Sequence, residues 1–140
     1  MLTERIGRLV DREKMVTASS QATVYEAARL MLEQAIGAIL VVDEGALVGI
    51  FTESDAVFRV VAQGRDAFQV LLGEVMTRHP LTADPEMTFG RAMLIMHEHH
   101  FRHLPVVADG KLVGIVSARD ALDPELEDFV CEERRREALD

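Results

Sequence analysis

The sequence predicts an α/β fold of two tandem β-α-β-β-α repeats related by pseudo-twofold symmetry, with the sheets packed together and the helices outside. The main observation is an internal duplication, because Gly-Ile-Phe-Thr-Glu-Ser-Asp at 49–55 returns as Gly-Ile-Val-Ser-Ala-Arg-Asp at 114–120, an offset of 65 residues (49 to 114). The same offset superposes the helix signals without a gap, for example Thr23 on Thr88. Two copies of one unit usually bury the faces that neither covers alone, so we expect binding clefts between the repeats.

The duplication divides the chain into five predicted segments. They are an N-terminal amphipathic helix (1–12), the first repeat (13–63), a linker (64–73), the second repeat (74–122) and a C-terminal helix (123–140). Helical spacing of Leu2, Ile6 and Leu9 predicts the first segment. A helix N-cap followed by proline and an acidic first turn, at 123–125, predicts the last.

Local sequence signals predict each element of the first repeat, and the same signals recur in the same order in the second repeat. Thr23 and Glu26 have the spacing of a capping box and begin a helix. An apolar run at 36–43 has the length of a strand, and 46–51 returns after a Glu-Gly turn as a hairpin. Thr52 then begins the second helix of the repeat. The expected apolar surface of that helix consists of Val57, Phe58, Val60 and Val61.

Composition and charge narrow the class of protein. A formal net charge of −9 opposes non-specific binding to nucleic acid, because the phosphate backbone rewards clustered Lys and Arg. No apolar run approaches the ~20 residues that span a bilayer, and the first residues lack the apolar core of a signal peptide. Cys131 is the single cysteine, which excludes an intrachain disulfide and fits a reducing compartment. We therefore expect a cytoplasmic protein without nucleic-acid or membrane partners.

The repeated motif places a hydroxyl and a carboxylate together at the start of a helix. Thr52 with Asp55, and Ser117 with Asp120, follow the end of a strand with a spacing of three. Backbone N–H groups at such a position favour phosphate, and a carboxylate can accept two hydrogen bonds from the diol of a ribose. The same spacing also caps a helix without any ligand, and spacing alone favours that role. The motifs therefore leave two hypotheses, a nucleotide site and a helix cap.

Catalytic and metal chemistry find less support in the sequence. His97, His99, His100 and His103 could supply imidazole ligands, but no cysteine or obvious carboxylate completes the set. Histidines near the end of a helix also favour its dipole. No general base is placed beside Ser117. We therefore predict no metal site, no catalytic residues and no enzymatic activity.

Several segments of the sequence resemble a known protein family. The paired motifs, the Arg-His-Leu-Pro-Val-Val strand at 102–107 and the Met-Thr-Arg-His-Pro-Leu-Thr segment at 76–82 are similar to tandem CBS domains, named after cystathionine β-synthase. The resemblance covers about residues 10–122 and implies a Bateman module of the small, stand-alone bacterial type. The resemblance therefore implies a regulatory, energy-sensing protein that is not an enzyme and requires no cofactor. Their clefts bind AMP, ADP or ATP, with NADH or S-adenosylmethionine possible, and they form homodimers that signal to a partner protein.

The resemblance also implies which residues form the sites. The motif aspartate holds ribose and the motif hydroxyl contacts ribose or phosphate, and these residues are Thr52, Asp55, Ser117 and Asp120. Adenine is expected beside the first strand of a repeat and the segment before its hairpin, which here are Thr17, Ala18, Gly37, Ala38, Thr82, Ala83, Arg102 and His103. Each cleft is expected to combine the repeats. Ser117 and Asp120 would then meet the Thr17 and Gly37 region, and Thr52 and Asp55 would meet Thr82 and Arg102.

The two repeats differ at the expected phosphate end of the sites. Repeat 2 has Arg102 and His103 where repeat 1 has Gly37 and Ala38, so positive charge comes from one side only. We therefore expect one well-formed site and one weak or empty site. The alternative is a ligand-free interaction or assembly module in which both motifs are only helix caps.

Overall fold

The structure is a computed structural model of the 140-residue chain and describes residues 2–10, 15–118 and 132–138. These residues form two compact units. We call them the repeat-1 unit and the repeat-2 unit, after the repeat that each mainly contains. The repeat-1 unit holds the described residues within 13–81 and 109–112, and the repeat-2 unit those within 1–12, 82–108 and 113–140. No helix of the described ranges is both long and apolar enough to cross a membrane.

The observed elements confirm the predicted α/β class. In chain order they are α1 (Ile6–Leu9), β1 (Thr17–Ala18), α2 (Val24–Gln34), β2 (Ala38–Asp43), β3 (Ala46–Thr52), α3 (Glu53–Asp55), a π-helical segment (Ala56–Val61), α4 (Leu72–Val75), β4 (Thr77–Arg78), α5 (Phe89–His99), β5 (His103–Ala108) and β6 (Lys111–Ser117). Residues 132–138 are also helical. The helix expected directly after β6 lies largely outside the described residues.

The repeat-1 unit contains a four-stranded sheet in the order β1-β2-β3-β4. β1 runs parallel to β2, and the other neighbours are antiparallel. The predicted capping box begins α2, because Thr23 Oγ1 accepts a hydrogen bond from the Glu26 N–H and Glu26 Oε2 accepts one from the Thr23 N–H, both at 3.1 Å. The core combines residues of α2, the sheet and the π-helical segment, among them Val24, Ala27, Ile39, Val41, Phe51 and Val60.

The expected apolar surface of the helix after Thr52 is only partly buried. Val60 is 1% exposed, whereas Val57, Phe58 and Val61 are 50%, 66% and 71% exposed. The segment is π-helical, with the Ala62 N–H bonded to the Val57 carbonyl at 2.8 Å. The apolar residues of this segment therefore do not all face the core. Val60 is buried, and Val57, Phe58 and Val61 are exposed to solvent.

The repeat-2 unit contains α5, β5 and the part of β6 that begins at Val113, with Ala83 bridged to Val106 in parallel. Thr88 caps α5 by accepting a hydrogen bond from the Arg91 N–H at 3.2 Å, and α5 ends at His100 in the left-handed region. The core of the repeat-2 unit includes Ile6 of α1 and residues of α5, β5 and β6, namely Phe89, Ala92, Met93, Met96, Leu104, Val106 and Val116.

Helix α1 precedes repeat 1 in sequence but packs in the repeat-2 unit. The Gly7 N–H donates to the Pro85 carbonyl at 2.9 Å, just as the Gly73 N–H of α4 donates to the Ser20 carbonyl at 2.9 Å. Ser20 and Pro85 are 65 residues apart (20 to 85), and Gly7 and Gly73 are 66 apart (7 to 73). α1 and α4 are therefore equivalent helices, and each is hydrogen-bonded to the segment before the first long helix of one repeat.

Candidate functional site

The motif of repeat 1 forms a closed capping box where β3 ends. Thr52 Oγ1 accepts a hydrogen bond from the Asp55 N–H at 3.3 Å, and Asp55 Oδ2 accepts one from the Thr52 N–H at 3.0 Å. The Thr52 hydroxyl also donates to Asp55 Oδ2, at 3.2 Å. The structure thus shows the helix cap that the motif spacing predicts, and the carboxylate is directed back at the end of the strand.

Asp55 has a second partner that the sequence analysis did not predict. Arg59 Nε lies 3.4 Å from Asp55 Oδ1, and Arg59 Nη1 donates to the carbonyls of Val75 and Met76 at 3.3 and 3.2 Å. Asp55 is 7% exposed and is the one buried charged residue among those the structure describes. A spacing of four on a helix is the signal that could have revealed the Asp55–Arg59 pair.

Three predicted residues of repeat 1 lie in the same sheet as this motif, and a fourth, Gly37, directly precedes β2. The Gly37 carbonyl accepts the Glu53 N–H at 3.1 Å, and Ala38 pairs with Thr52 across β2 and β3. Thr17 and Ala18 form β1, which pairs with the next part of β2 at Leu40 and Val41. The structure therefore brings the motif hydroxyl beside Gly37 and Ala38, with β1 two residues further along.

Repeat 2 reproduces this backbone arrangement. Ser117 ends β6, and the following Ala118 N–H donates to the Arg102 carbonyl at 2.7 Å, the equivalent of the Glu53 to Gly37 bond. His103 begins β5. Asp120 lies outside the described residues, so the repeat-2 motif is described up to its hydroxyl.

The first strand of repeat 2 is a single bridge beside β5. The Ala83 N–H donates to the Pro105 carbonyl at 2.8 Å, and the Val107 N–H donates to the Ala83 carbonyl at 2.9 Å. Ala83 is buried and Thr82 is exposed. Within each unit the described predicted residues therefore lie on neighbouring strands or in the segments that adjoin them. The pairing of residues from different repeats in one cleft stays a prediction.

His97 and His99 of the histidine cluster make side-chain contacts that do not involve a metal. The Arg134 guanidinium lies 2.9 Å from His97 Nε2, and His99 stacks on Phe101 with ring centroids 5.5 Å apart. Because arginine is only a donor, His97 Nε2 is the acceptor of this hydrogen bond. Among residues 2–10, 15–118 and 132–138, no group of three or more His, Cys, Asp or Glu is arranged to hold a metal ion. Cys131 lies outside these ranges.

Asp43 forms a hydrogen-bonded network with the loop after β1. Its Oδ1 accepts the Ser20 N–H at 3.0 Å and the Ser19 hydroxyl at 3.3 Å, and its Oδ2 accepts the Ser20 hydroxyl at 2.5 Å. The hydrogen bonds from Ser20, with that from Ser19, lower the pKa of Asp43 below the ordinary value of 3.8. Repeat 2 has Ala108 at the matching position (43 to 108), so this network distinguishes the two repeats.

Comparisons with known proteins agree with the duplicated motif. The model of the CBS domain family matches residues 6–62 and 72–125. The CBS domain-containing protein YhcV of Bacillus subtilis is 40% identical over 107 residues, which cover 76% of each chain. The mitochondrial CBS domain-containing protein CBSX3 of Arabidopsis thaliana is 37% identical over 105 residues, which cover 71% of this chain and 51% of that protein. The chain therefore spans most of one relative and about half of the other.

Solved structures give the same result for the fold. A putative signal-transduction protein with CBS domains from Burkholderia ambifaria is 38% identical, with a TM-score of 0.74 over 83% of this chain and 82% of that one. The CBS domain pair of protein MJ0100, in complex with 5′-methylthioadenosine and S-adenosylmethionine, is 29% identical, with a TM-score of 0.76 over 85% and 93%. A hexameric CBS-CP12 protein from bloom-forming cyanobacteria is 26% identical, with a TM-score of 0.78 over 89% and 69%.

Proposed function

This chain belongs to the CBS domain family and carries two copies of the domain, and from that premise we propose that it is a non-catalytic regulatory module. In this proposal it binds an adenosine nucleotide of the AMP, ADP or ATP class and signals the bound state to a partner protein. The relatives named above are CBS-domain and signal-transduction proteins, and one neighbour of similar fold was solved with two adenosine ligands. The proposed ligand class follows from that likeness, and the proposed location is the cytoplasm.

One observation carries the proposal: both repeats hold the motif beside the segment that precedes the hairpin. The N–H after the motif hydroxyl donates to the carbonyl of Gly37 in repeat 1 and of Arg102 in repeat 2. In the proposal, this bond fixes the strand end that carries the motif hydroxyl against the segment before the hairpin, so that each repeat presents a preformed surface to a cleft. Such pre-organisation lowers the entropy that binding would otherwise cost.

Signalling would follow from differential affinity. A ligand that binds one conformation better than another shifts the population by no more than that difference in affinity. The exposed Arg102 guanidinium, which has no counterpart at Gly37, would favour ligands that carry phosphate at one of the two sites. We therefore retain the hypothesis of one well-formed and one weak or empty site.

A calorimetric titration tests this function directly. Refolded, ligand-free protein is titrated with AMP, ADP, ATP, NADH and S-adenosylmethionine. We expect saturable binding of one of them, weakened at least about tenfold in Asp55→Ala or Asp120→Ala, because a hydrogen bond to a charged group is worth about 1.5–3 kcal/mol. Asp66→Ala, which removes an exposed carboxylate from the segment between the repeats, is the matched control and should bind normally.

The second candidate is a ligand-free interaction or assembly module. The observation that favours it is the closed capping box at Thr52 and Asp55, in which the carboxylate already accepts hydrogen bonds from Thr52 and pairs with Arg59. The titration separates the two candidates. Binding that Asp55→Ala or Asp120→Ala removes, in a protein that stays folded, supports the nucleotide sensor. No heat from any of the five ligands supports the caps-only module.

Homodimer formation is part of either proposal. Val57, Phe58 and Val61 leave three large apolar side chains exposed on one short segment of the repeat-1 unit. Single exposed apolar residues are ordinary, but a cluster of them marks an interaction surface. We propose that a second copy of the chain covers this cluster, and the hexameric neighbour supports assembly in proteins of this fold.

A further inference from the structure

Two hydrogen-bond donors and one guanidinium already contact the carboxylate of Asp55. Oδ2 accepts hydrogen bonds from the Thr52 N–H at 3.0 Å and the Thr52 hydroxyl at 3.2 Å, while Oδ1 faces Arg59 Nε at 3.4 Å. A carboxylate offers about four acceptor positions. The Asp55 side chain is only 10% exposed. A vicinal diol that donates two hydrogen bonds therefore lacks room at this carboxylate while Arg59 stays in place.

Arg59 is held in this position from its other side. Its Nη1 donates to the carbonyls of Val75 and Met76, at the end of α4, at 3.3 and 3.2 Å. A guanidinium has five donors in a rigid fork, so it can contact the carboxylate and both carbonyls at once. Arg59 nevertheless remains 51% exposed, so it can move into solvent.

We propose that Arg59 is an intramolecular competitor for the Asp55 carboxylate and controls access of a ribose diol to the repeat-1 motif. This inference rests on the proposed function and adds a regulatory residue to one of its two sites. The guanidinium is the outer of the groups that satisfy Asp55, because the Thr52 contacts belong to the helix cap itself. A diol therefore displaces Arg59 and leaves the cap intact.

Two further observations agree with this role. Arg59 lies within the π-helical segment Ala56–Val61, and such i→i+5 segments are rare and occur frequently at functional sites. The matching position of repeat 2 is Pro124 (59 to 124), which has no side-chain donor. The competitor is therefore a property of repeat 1, and the repeat-1 motif should be the weaker of the two for a ligand without phosphate.

Adenosine tests the inference because it carries the diol and lacks phosphate, which a free guanidinium would attract. Binding is measured calorimetrically in the Asp120→Ala background, where the repeat-1 motif is left intact. Arg59→Met keeps the apolar stem and removes the donors. We expect it to bind adenosine about two- to fivefold more tightly than the background protein, which is the range for one partly exposed ion pair.

Arg29→Met is the matched control. Arg29 pairs with Glu33 at the same spacing of four, and its side chain is 50% exposed, but the pair lies on α2 and involves no residue of the motif. We expect unchanged adenosine affinity. Titration with 2′-deoxyadenosine checks that the gain in Arg59→Met depends on the diol, and the gain should be smaller for this ligand.

Several results would overturn the inference. Arg59 would be only structural if Arg59→Met bound adenosine equally or more weakly while Asp55→Ala still lost binding. A lower stability of Arg59→Met with unchanged adenosine affinity would lead to the same conclusion. Absence of binding in the wild type and in every variant, with all five ligands above, would instead remove the proposed function and this inference with it.

A second measurement does not depend on the folding of Arg59→Met. Arg59→Lys keeps a positive charge but cannot bridge the carboxylate and both carbonyls, so it should also bind adenosine more tightly. In the Asp120→Ala protein labelled with ¹⁵N-arginine, the Nε–H resonance of Arg59 should shift on saturation with adenosine. An unchanged resonance at saturation would contradict the displacement of Arg59.

Discussion

Gly49 of β3 and Met76 pack so closely that position 49 has no room for a side chain. A Cβ atom at Gly49 would lie 2.5 Å from Met76 Sδ and 2.9 Å from the Thr77 carbonyl oxygen. A Cβ atom at Gly114, the counterpart in repeat 2, would likewise clash with Cγ1 of Val10. The glycine of the repeated motif therefore serves strand packing, and the proposed ligand contacts belong to the residues that follow it.

Replacement of Gly49 should destabilise the repeat-1 unit. Gly49→Ala forces Met76 or the backbone of β4 to move, which we expect to lower the free energy of unfolding by about 1–3 kcal/mol. Gly73→Ala is the control, because its Cβ would lie 3.3 Å from Ser20 and needs a smaller adjustment. Urea denaturation of both variants measures the difference. Equal costs at the two positions would contradict the close packing of Gly49 on Met76.

Removal of the α2 cap should cost stability without affecting ligands. Thr23→Ala leaves the Glu26 N–H without its acceptor, and such substitutions typically cost about 1 kcal/mol. Thr23→Ser retains the acceptor and should cost much less. Denaturation gives the stability and calorimetry the affinity. A large loss of nucleotide affinity in Thr23→Ala would show that this cap takes part in a site.

The Asp43 network should make stability depend on acid pH. Its pKa is lowered in the folded state, so its contribution is present above the ordinary value of 3.8 and is lost as the pH falls through the lower folded value. Asp43→Asn should therefore be less stable than the wild type at neutral pH, with a difference that shrinks below pH 3.8. Thermal unfolding as a function of pH measures this.

Ser20→Ala provides an independent check on the same network. Ser20 supplies the largest cause of the lowered pKa of Asp43, so its loss should flatten the acid dependence in the same pH range. A wild-type-like pH profile in both Ser20→Ala and Asp43→Asn would mean that other carboxylates dominate acid unfolding.

The exposed apolar cluster gives a prediction about assembly. Phe58→Ser with Val61→Ser should shift the protein from dimer to monomer in analytical ultracentrifugation. The free energy of unfolding of the monomer should change by no more than about 0.5 kcal/mol, because both side chains are exposed. Phe68→Ser is the control, since Phe68 is also exposed but packs on Tyr25 with ring centroids 4.4 Å apart. An unchanged dimer in the double variant would place the interface elsewhere.

The sequence alone determined the features that depend on near neighbours in the chain. The capping spacings of Thr23 and Thr52, the two hairpins and the α/β class were predicted from local patterns, and the structure confirms them. The duplication itself was visible because two copies of one unit repeat the same local signals. Family membership followed from those repeated residues and agrees with the matched ranges 6–62 and 72–125.

Only the tertiary structure decided the contacts between distant parts of the chain. The 66-residue equivalence of Gly7 and Gly73, the exposure of Phe58 and Val61, and the reach of Arg59 to Val75 and Met76 depend on the path of the backbone between them. Periodicity says which residues share a face of a helix, but not which neighbour covers that face. The spacing of Asp55 and Arg59 was visible in the sequence. The burial of Asp55, on which the proposed role of Arg59 depends, arises from packing.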